Sequence, residues 1–183
     1  MHHLPRTWPR SILAGLLVLV CAAITPAVAA ARSSHDGFVY VDDNTAGTNT
    51  VAAFARRDDG SLTPVAGSPF SAGGAGTGAG LASQGAIQVT SDGRFVIAVD
   101  AGSNQISVLR IERDGELEPV RDGVVSSGGV EPVSVGEHDG LVYVANAGAG
   151  GANYTGFRLS DGGRLRPLVG STVPLPDSRS HSE

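Results

Sequence analysis

Hydrophobic and polar positions along most of the chain fall into short runs that fit β-strands. The clearest stretch is residues 86–120. Phe95–Val99 is almost wholly apolar, as expected of a strand buried on both faces, and Ile106–Ile111 largely alternates between apolar and polar residues. Asp-Gly pairs, which suit tight turns, lie between these runs. We therefore predict four short antiparallel strands here, at residues 86–90, 95–99, 106–111 and 117–120.

This arrangement repeats along the chain, and no helical periodicity is seen after residue 31. An Asp-Gly pair followed by an apolar run occurs three times, at residues 36–41, 92–98 and 139–144. A second Asp-Gly pair, followed by a Leu and a Pro, lies 19 to 21 residues beyond the first Phe or Leu of each copy, at residues 59–65, 114–120 and 161–168. Two motifs that recur in phase three times indicate a repeat protein.

The strand content of each copy predicts the fold class. The inner strands are apolar and the outer strand is more polar, which is typical of a blade packed around an axis. The copies begin at Phe38, Phe95 and Leu141, and the shorter spacing of 46 residues is close to the roughly 40–50 residues of a propeller blade. We predict an all-β fold, a β-propeller of four-stranded antiparallel blades, with about three blades in an incomplete ring, at residues 36–70, 85–125 and 131–175.

The longer spacing contains a glycine-rich insert, Ser71–Gly85. Its glycines fit neither a dinucleotide fingerprint nor a phosphate loop, which requires a lysine that this chain lacks. We therefore expect a flexible loop between two blades.

The N-terminal residues 1–31 have the three parts of a secretory signal peptide. Arg6 and Arg10 precede an apolar run at residues 11–24, and Ala27-Val28-Ala29 supplies a cleavage site. The run is shorter than the roughly 20 residues that span a bilayer, although an uncleaved membrane anchor is the alternative. We predict a Sec-type bacterial signal and a secreted or extracytoplasmic protein. Cleavage removes Cys21, the one cysteine, so the mature chain has no thiol chemistry.

Composition narrows the classes of function. The 183 residues carry a formal charge of −5, and 41% of them are hydrophobic, which excludes a charged disordered chain. The acidic balance argues against nucleic acid as a partner. The histidines of the mature chain are scattered without a paired spacing, so we expect no metal site.

The number of repeats does not complete a ring. A propeller needs roughly four to eight blades, and the first copy lacks its inner strand. Residues 176–183 are a polar tail that breaks the repeat where a fourth blade is expected. Either the chain is a fragment or truncated reading frame of a longer propeller, which we favour, or its blades assemble with other chains. The oligomeric state is left open by the sequence.

The repeats resemble a known family, the lactonase-type β-propellers, which include 6-phosphogluconolactonase-like and cycloisomerase-2-like proteins. The resemblance covers roughly residues 36–175 and rests on GAIQVTSDGRFVIAVDAGSNQISVLRI at 85–111, DGELEPV at 114–120, GGVEPVSVGEHDGLVYVANAG at 128–148 and TGFRLSDGGRLRPL at 155–168. It implies a seven-bladed ring and hydrolysis of a sugar lactone, such as 6-phosphogluconolactone, without a cofactor. Related propellers catalyse muconate cycloisomerisation instead.

Propeller geometry places the candidate site residues. Loops that join the second and third strands share one face, beside the central channel, with the loops between blades. A lactone hydrolase needs a base for water and donors for the oxyanion. We predict Asp100 or Glu131 as the base, and Gln84, Asn104, Asn146 and Asn153 as substrate-binding residues. The alternative is that these side chains only cap turns. His138 lies in a hairpin turn that should be solvated, on the opposite face.

Two functions follow from these observations. The first is an exported lactonase-like hydrolase, truncated and inactive as this chain, whose partner is a small-molecule lactone. The second is a non-catalytic propeller that binds a partner or cell-envelope polymer through its loops. Membrane contact is expected only through an uncleaved signal segment.

Overall fold

The structure, a computed structural model, describes residue 2 and residues 37–149 and 152–175, and strands make up its regular elements. Apart from residue 2, the predicted signal peptide lies outside these residues, and so does the polar tail. Within them, no helix is long and apolar enough to cross a membrane. The strands are β1 (Gly37–Asp42), β2 (Thr50–Arg56), β3 (Leu62–Pro64), β4 (Phe70–Ser71), β5 (Ile87–Val89), β6 (Phe95–Asp100), β7 (Gln105–Ile111), β8 (Leu117–Ser126), β9 (Pro132–His138), β10 (Leu141–Asn146), β11 (Asn153–Leu159), β12 (Leu165–Pro167) and β13 (Val173–Pro174).

The strands form three antiparallel sheets, which we call blades 1, 2 and 3 in chain order. Blade 2 is the regular one, with the order β5-β6-β7-β8. Blade 3 has the order β9-β10-β11-β12, and blade 1 has β1-β2-β3. Within the described residues β1 pairs with β2 alone, so blade 1 lacks an inner strand, as predicted. The predicted fold class, a propeller of antiparallel blades without a closed ring, is confirmed.

In blades 1 and 3 a Gly-Ser turn divides the outer strand. β4 pairs with β2, and β13 pairs with β11, each beyond a short break. At the first break the hydroxyl of Ser68 accepts a hydrogen bond of 2.9 Å from the Ala53 N–H. At the second, Ser171 accepts one of 3.0 Å from the Gly156 N–H. Each serine therefore replaces the backbone acceptor that an unbroken outer strand would supply.

Strand β6 is the centre of the core, since all six of its residues are buried. Successive side chains of a strand point to opposite faces, so β6 contributes to two interfaces. Phe95, Ile97 and Val99 pack against blade 3 in an apolar cluster that includes Phe157. The alternate side chains pack against blade 1, in a cluster of Val51, Ala72, Val96, Ala98, Leu109 and Leu117. Burial on both sides explains why the run is apolar throughout.

The ends of the strands define two faces of the blades. The turn face consists of the hairpin turns at residues 57–61, 91–94, 112–116, 139–140 and 160–164. The loop face consists of the loops at 43–49, 101–104, 147–149 and 152, and of two links between blades at 72–86 and 127–131. The candidate residues predicted from the sequence lie on the loop face or at the strand ends beside it.

Candidate functional site

A largely buried polar cluster closes the interface of blades 1 and 2 at the loop face. It consists of Asp42 at the end of β1, Asn49 before β2 and Asp100 at the end of β6. The Asn49 Nδ2 group donates hydrogen bonds to Asp42 Oδ1 at 2.9 Å and to Asp100 Oδ1 at 3.0 Å. The hydroxyl of Ser107 donates to the other oxygen of Asp100. Asn49 and Asp100 are completely buried, so one amide bridges two carboxylates across the interface.

The environment of the cluster disfavours charge on both carboxylates. Burial raises the pKa of Asp42 to about 6, despite the hydrogen bond from Asn49, and the neighbouring charges of Asp100 and Asp43 add to the rise. Burial also raises the pKa of Asp100, while hydrogen bonds from Ser107 and Asn49 oppose the shift. Asp42 Oδ2 is buried and has no hydrogen-bond partner among the described residues. The cluster therefore holds the blades together at an electrostatic cost.

The glycine-rich link at 72–86 covers this cluster. Gly74 accepts a hydrogen bond from the Asn49 N–H at 2.8 Å, and Ala75 accepts one from Gly102 at 2.8 Å. A Cβ at Gly74 would overlap the carboxylate of Asp100, so glycine permits this close approach. The predicted position between two blades is confirmed. The expected flexibility of this link does not fit the structure, because its backbone forms hydrogen bonds with the loops on both sides.

At the interface of blades 2 and 3 the loop face is open, and two candidate residues meet there. Asn104 Oδ1 accepts a hydrogen bond of 2.7 Å from the Glu131 N–H. Both residues are exposed, and both have a left-handed backbone, with φ of 56° and 53°. Such conformations are costly outside glycine and persist where surrounding contacts enforce them, often at functional sites. The structure thus joins a predicted base to a predicted substrate-binding residue.

A second pair of candidates lies at the same interface. Asn146 ends β10, is completely buried, and donates a hydrogen bond of 2.9 Å to Asn153 Oδ1. It also donates to the carbonyl of Ser127 at 3.3 Å. Asn146 Oδ1 is buried without a partner in the described part of the chain. The hydrogen bonds of Asn146 therefore lie within the fold, and we assign this pair to the stabilisation of the loops at this interface.

The remaining candidates are separate from both pairs. Gln84 is exposed near the end of the link at 72–86, and the described hydrogen bonds join it to none of the other candidates. Asp100 is buried in the polar cluster. His138 is exposed in a turn-face hairpin, as predicted, with 87% of its side-chain surface accessible. The described residues contain no group of three or more His, Cys, Asp or Glu arranged to hold a metal ion.

Sequence reasoning did not single out Asn49 as the residue that bridges the first interface. Its local sequence, Thr48-Asn49-Thr50, looks like an ordinary loop. Its partners Val99 and Asp100 lie about fifty positions further along the chain, so only the packing of the blades brings them together. The available signal was the polar residue that ends each second strand of a repeat, namely Asp42, Asp100 and Asn146.

Three antiparallel sheets of this order, packed face to face, define part of a β-propeller. Residues 33–176 match the sequence profile of the family described as "Lactonase, 7-bladed beta-propeller". The chain belongs to this family. No curated protein matches the chain.

Solved structures with the same fold are larger proteins. The periplasmic gluconolactonase of Pseudomonas aeruginosa aligns with a TM-score of 0.52 and 22% identity over 76% of this chain and 39% of its own. A protein from Bacteroides uniformis, titled a putative 6-phosphogluconolactonase, aligns with a TM-score of 0.55 and 16% identity over 76% and 40%. The chain therefore spans about 40% of the length of these two structures. At such identities the likeness shows a shared fold.

Proposed function

We propose that the protein takes part in the hydrolysis of a sugar lactone outside the cytoplasm, at the open loop face between blades 2 and 3. Membership of the lactonase family over residues 33–176 is the observation that carries this proposal. The predicted export signal supports the location, and one neighbour of the same fold is named a periplasmic gluconolactonase. The exposed pair of Asn104 and Glu131 supports the position of the site.

Hydrolysis of a lactone breaks the bond between the carbonyl carbon and the ring oxygen. Water attacks the carbonyl carbon, an oxyanion develops, and the ring oxygen leaves as a hydroxyl while the product becomes a carboxylate. A base that removes the proton of the water and donors that face the oxyanion lower the barrier. We assign the base to Glu131, because its carboxylate is exposed while its backbone is fixed. The Nδ2 group of Asn104 takes no part in the bond to Glu131 and supplies a donor beside it.

Asp100 suits this role less well. Its carboxylate oxygens accept hydrogen bonds from Asn49 and Ser107, and it is completely buried. A base must reach the water that it deprotonates. We therefore assign Asp100 to the support of the loops, and its predicted role as base is not part of this proposal.

The family description gives seven blades, and the described residues form three. A site beside the channel would also use loops from other blades. We expect the 183 residues expressed alone to be inactive for this reason. The experiment therefore uses the protein as its source cells produce it, at its natural length.

The test measures acid release from a panel of sugar δ-lactones at constant pH, relative to the rate in buffer. We expect turnover of at least one sugar lactone, and a loss in kcat/KM of about 10²- to 10⁴-fold in Glu131→Gln. Glu118→Gln is the matched control, because Glu118 is an exposed glutamate on the outer strand β8. Rates equal to buffer for every lactone would overturn the proposed function.

A further inference from the structure

Cationic side chains are distributed unevenly between the two faces of the blades. The chain contains no lysine. Nine arginines lie in the described residues, and each belongs to the turn face, to a strand end beside it, or to the outer strand of blade 2. These are Arg56, Arg57, Arg94, Arg110, Arg113, Arg121, Arg158, Arg164 and Arg166. Over residues 37–149 and 152–175 the loop face therefore has no cationic side chain.

The loop face instead carries carboxylates. Asp42 and Asp100 lie in the buried cluster, while Asp43 and Glu131 are exposed. Asp43 is held in place, since its Oδ2 accepts a hydrogen bond of 3.0 Å from Thr50. Burial raises the pKa of Asp42, and the neighbouring charges of Asp100 and Asp43 add to the rise. An approaching anion meets this negative charge without a compensating cation from the described blades.

Free N–H groups in a glycine-rich loop can bind phosphate. At residues 75–78, the part of the glycine-rich link beside the loops of blades 1 and 2, these groups are used within the fold. The N–H groups of Ala75 and Thr77 donate to Ser103 Oγ and Asn44 Oδ1, both at 2.9 Å, and those of Gly76 and Gly78 donate to the carbonyls of Thr45 and Asn44. Helix N-termini, the other common phosphate site, do not occur in the described residues.

We propose that the site selects uncharged sugar lactones and rejects their phosphate esters. This inference rests on the proposed function and adds the substrate class to it. A phosphate monoester carries nearly two negative charges at neutral pH and is normally bound by arginine or lysine. The hydroxyl groups of an uncharged sugar lactone can instead donate hydrogen bonds to the exposed carboxylates of Asp43 and Glu131. The carboxylates that repel a phosphate therefore suit a neutral polyol.

The first test compares glucono-δ-lactone with its 6-phosphate ester on the natural-length protein. We expect kcat/KM to be at least tenfold higher for the uncharged lactone at low ionic strength. Added salt should raise kcat/KM for the phosphorylated lactone and leave that of the uncharged lactone unchanged, because salt screens repulsion between exposed charges. Equal or faster hydrolysis of the phosphorylated lactone at low salt would overturn the inference.

Charge reversal on the loop face provides the second test. Asp43→Arg should reduce the preference for the uncharged lactone at least fivefold, and Asp43→Asn should reduce it less. Asp58→Arg makes the same change in an exposed aspartate of the turn face and should leave the preference as it was. A preference that shifts equally in Asp43→Arg and Asp58→Arg would contradict a local effect of the loop face.

Binding distinguishes failure of this inference from failure of the proposed function. If neither lactone is hydrolysed, the proposed function is wrong, and calorimetry with gluconate and 6-phosphogluconate at low salt then judges the substrate class. We expect 6-phosphogluconate to bind at least tenfold more weakly than gluconate or to show no saturable binding. Tighter binding of 6-phosphogluconate would overturn the inference even without catalysis.

Discussion

The two blade interfaces of this protein solve the same packing problem in different ways. Between blades 2 and 3, large side chains such as Phe95 and Phe157 fill the core. Between blades 1 and 2 the apolar cluster is smaller, and the hydrogen-bonded trio of Asp42, Asn49 and Asp100 completes it at the loop face. One interface is stabilised mainly by apolar burial, and the other also depends on a shared hydrogen-bond donor.

The links between blades explain why polar residues of the loop face differ in accessibility at the two interfaces. The long link at 72–86 covers the first interface and buries Asp100. The short link at 127–131 leaves Asn104 and Glu131 exposed at the second. Asp100, beneath the long link, is therefore a structural carboxylate, whereas Glu131, within the short link, is accessible.

The largest effect is expected from Phe157→Ala in the apolar interface. Phe157 is completely buried against blade 2, so truncation leaves a cavity and costs about 3–5 kcal/mol in the free energy of unfolding. Urea denaturation measures the loss. Phe54→Ala is the control, because Phe54 on β2 is only half-buried, and it should cost less than half as much. Equal losses would show that this interface is not the main source of stability.

The next largest effect is the difference in stability loss between substitutions of two buried asparagines. Asn49→Ala removes the donor shared by two carboxylates and should cost about 2–4 kcal/mol. Asn146→Ala should cost about 1–2 kcal/mol, because Asn146 bonds to neutral groups and one of its atoms already lacks a partner. Both are measured by urea denaturation at pH 7. A larger loss in Asn146→Ala would reverse the contrast between the interfaces.

The Gly-Ser turns of blades 1 and 3 should contribute equally to the free energy of unfolding. Ser68→Ala leaves the Ala53 N–H of β2 without its hydroxyl acceptor, and Ser171→Ala does the same for the Gly156 N–H of β11. Each should lower the free energy of unfolding by about 1–2 kcal/mol. Ser61→Ala, in an exposed turn, should change it by less than about 0.5 kcal/mol. A clear effect in only one blade would indicate that the Gly-Ser turns are not equivalent.

The smallest effect is a pH dependence at the polar interface. The pKa of Asp42 is about 6 in the folded protein and 3.8 for an unperturbed aspartate, so the folded state holds more protons between these values. Its contribution to stability is complete below pH 3.8 and is lost as the pH rises through 6. Relative to the unsubstituted protein, Asp42→Asn should gain about 1 kcal/mol in stability between pH 4 and pH 7.

Asp92 is the control, because its contribution to stability should change with pH in the opposite direction. Hydrogen bonds from Thr90 and Arg94 lower its pKa to about 2, so its contribution is present above pH 3.8 and lost on acidification. Asp92→Asn should therefore lose stability relative to the unsubstituted protein as the pH rises from 2 to 4. The same pH trend in both variants would contradict the assignment of Asp42.

Much of the fold was predictable because strand period and turn residues are local signals. The run Phe95–Val99 predicted a strand buried on both faces, and β6 is such a strand. The last strand of blade 2 was predicted to end at Val120 but continues to Ser126 through a register shift, which depends on pairing with β7. The Gly-Ser breaks were missed because the only sequence signal for a hydroxyl that replaces a backbone acceptor is a pair of residues.

The site was less predictable because its geometry arises between blades. Asn104 and Glu131 were candidates from their loop positions, yet the hydrogen bond between them depends on how blades 2 and 3 pack. Asp100 looked equally suitable, since nothing in its local sequence reveals that the link at 72–86 covers it. Accessibility, which separates a base from a support, is a property of the assembled loops.

Glu131 tests most directly the claim that the open interface holds the catalytic group and the covered interface the structural one. Both kcat/KM for a sugar lactone and the free energy of unfolding are measured in Glu131→Gln at natural length. We predict a loss of at least 100-fold in kcat/KM with a change in unfolding free energy below about 0.5 kcal/mol. Full activity in this variant, or activity lost only together with stability, would contradict the account.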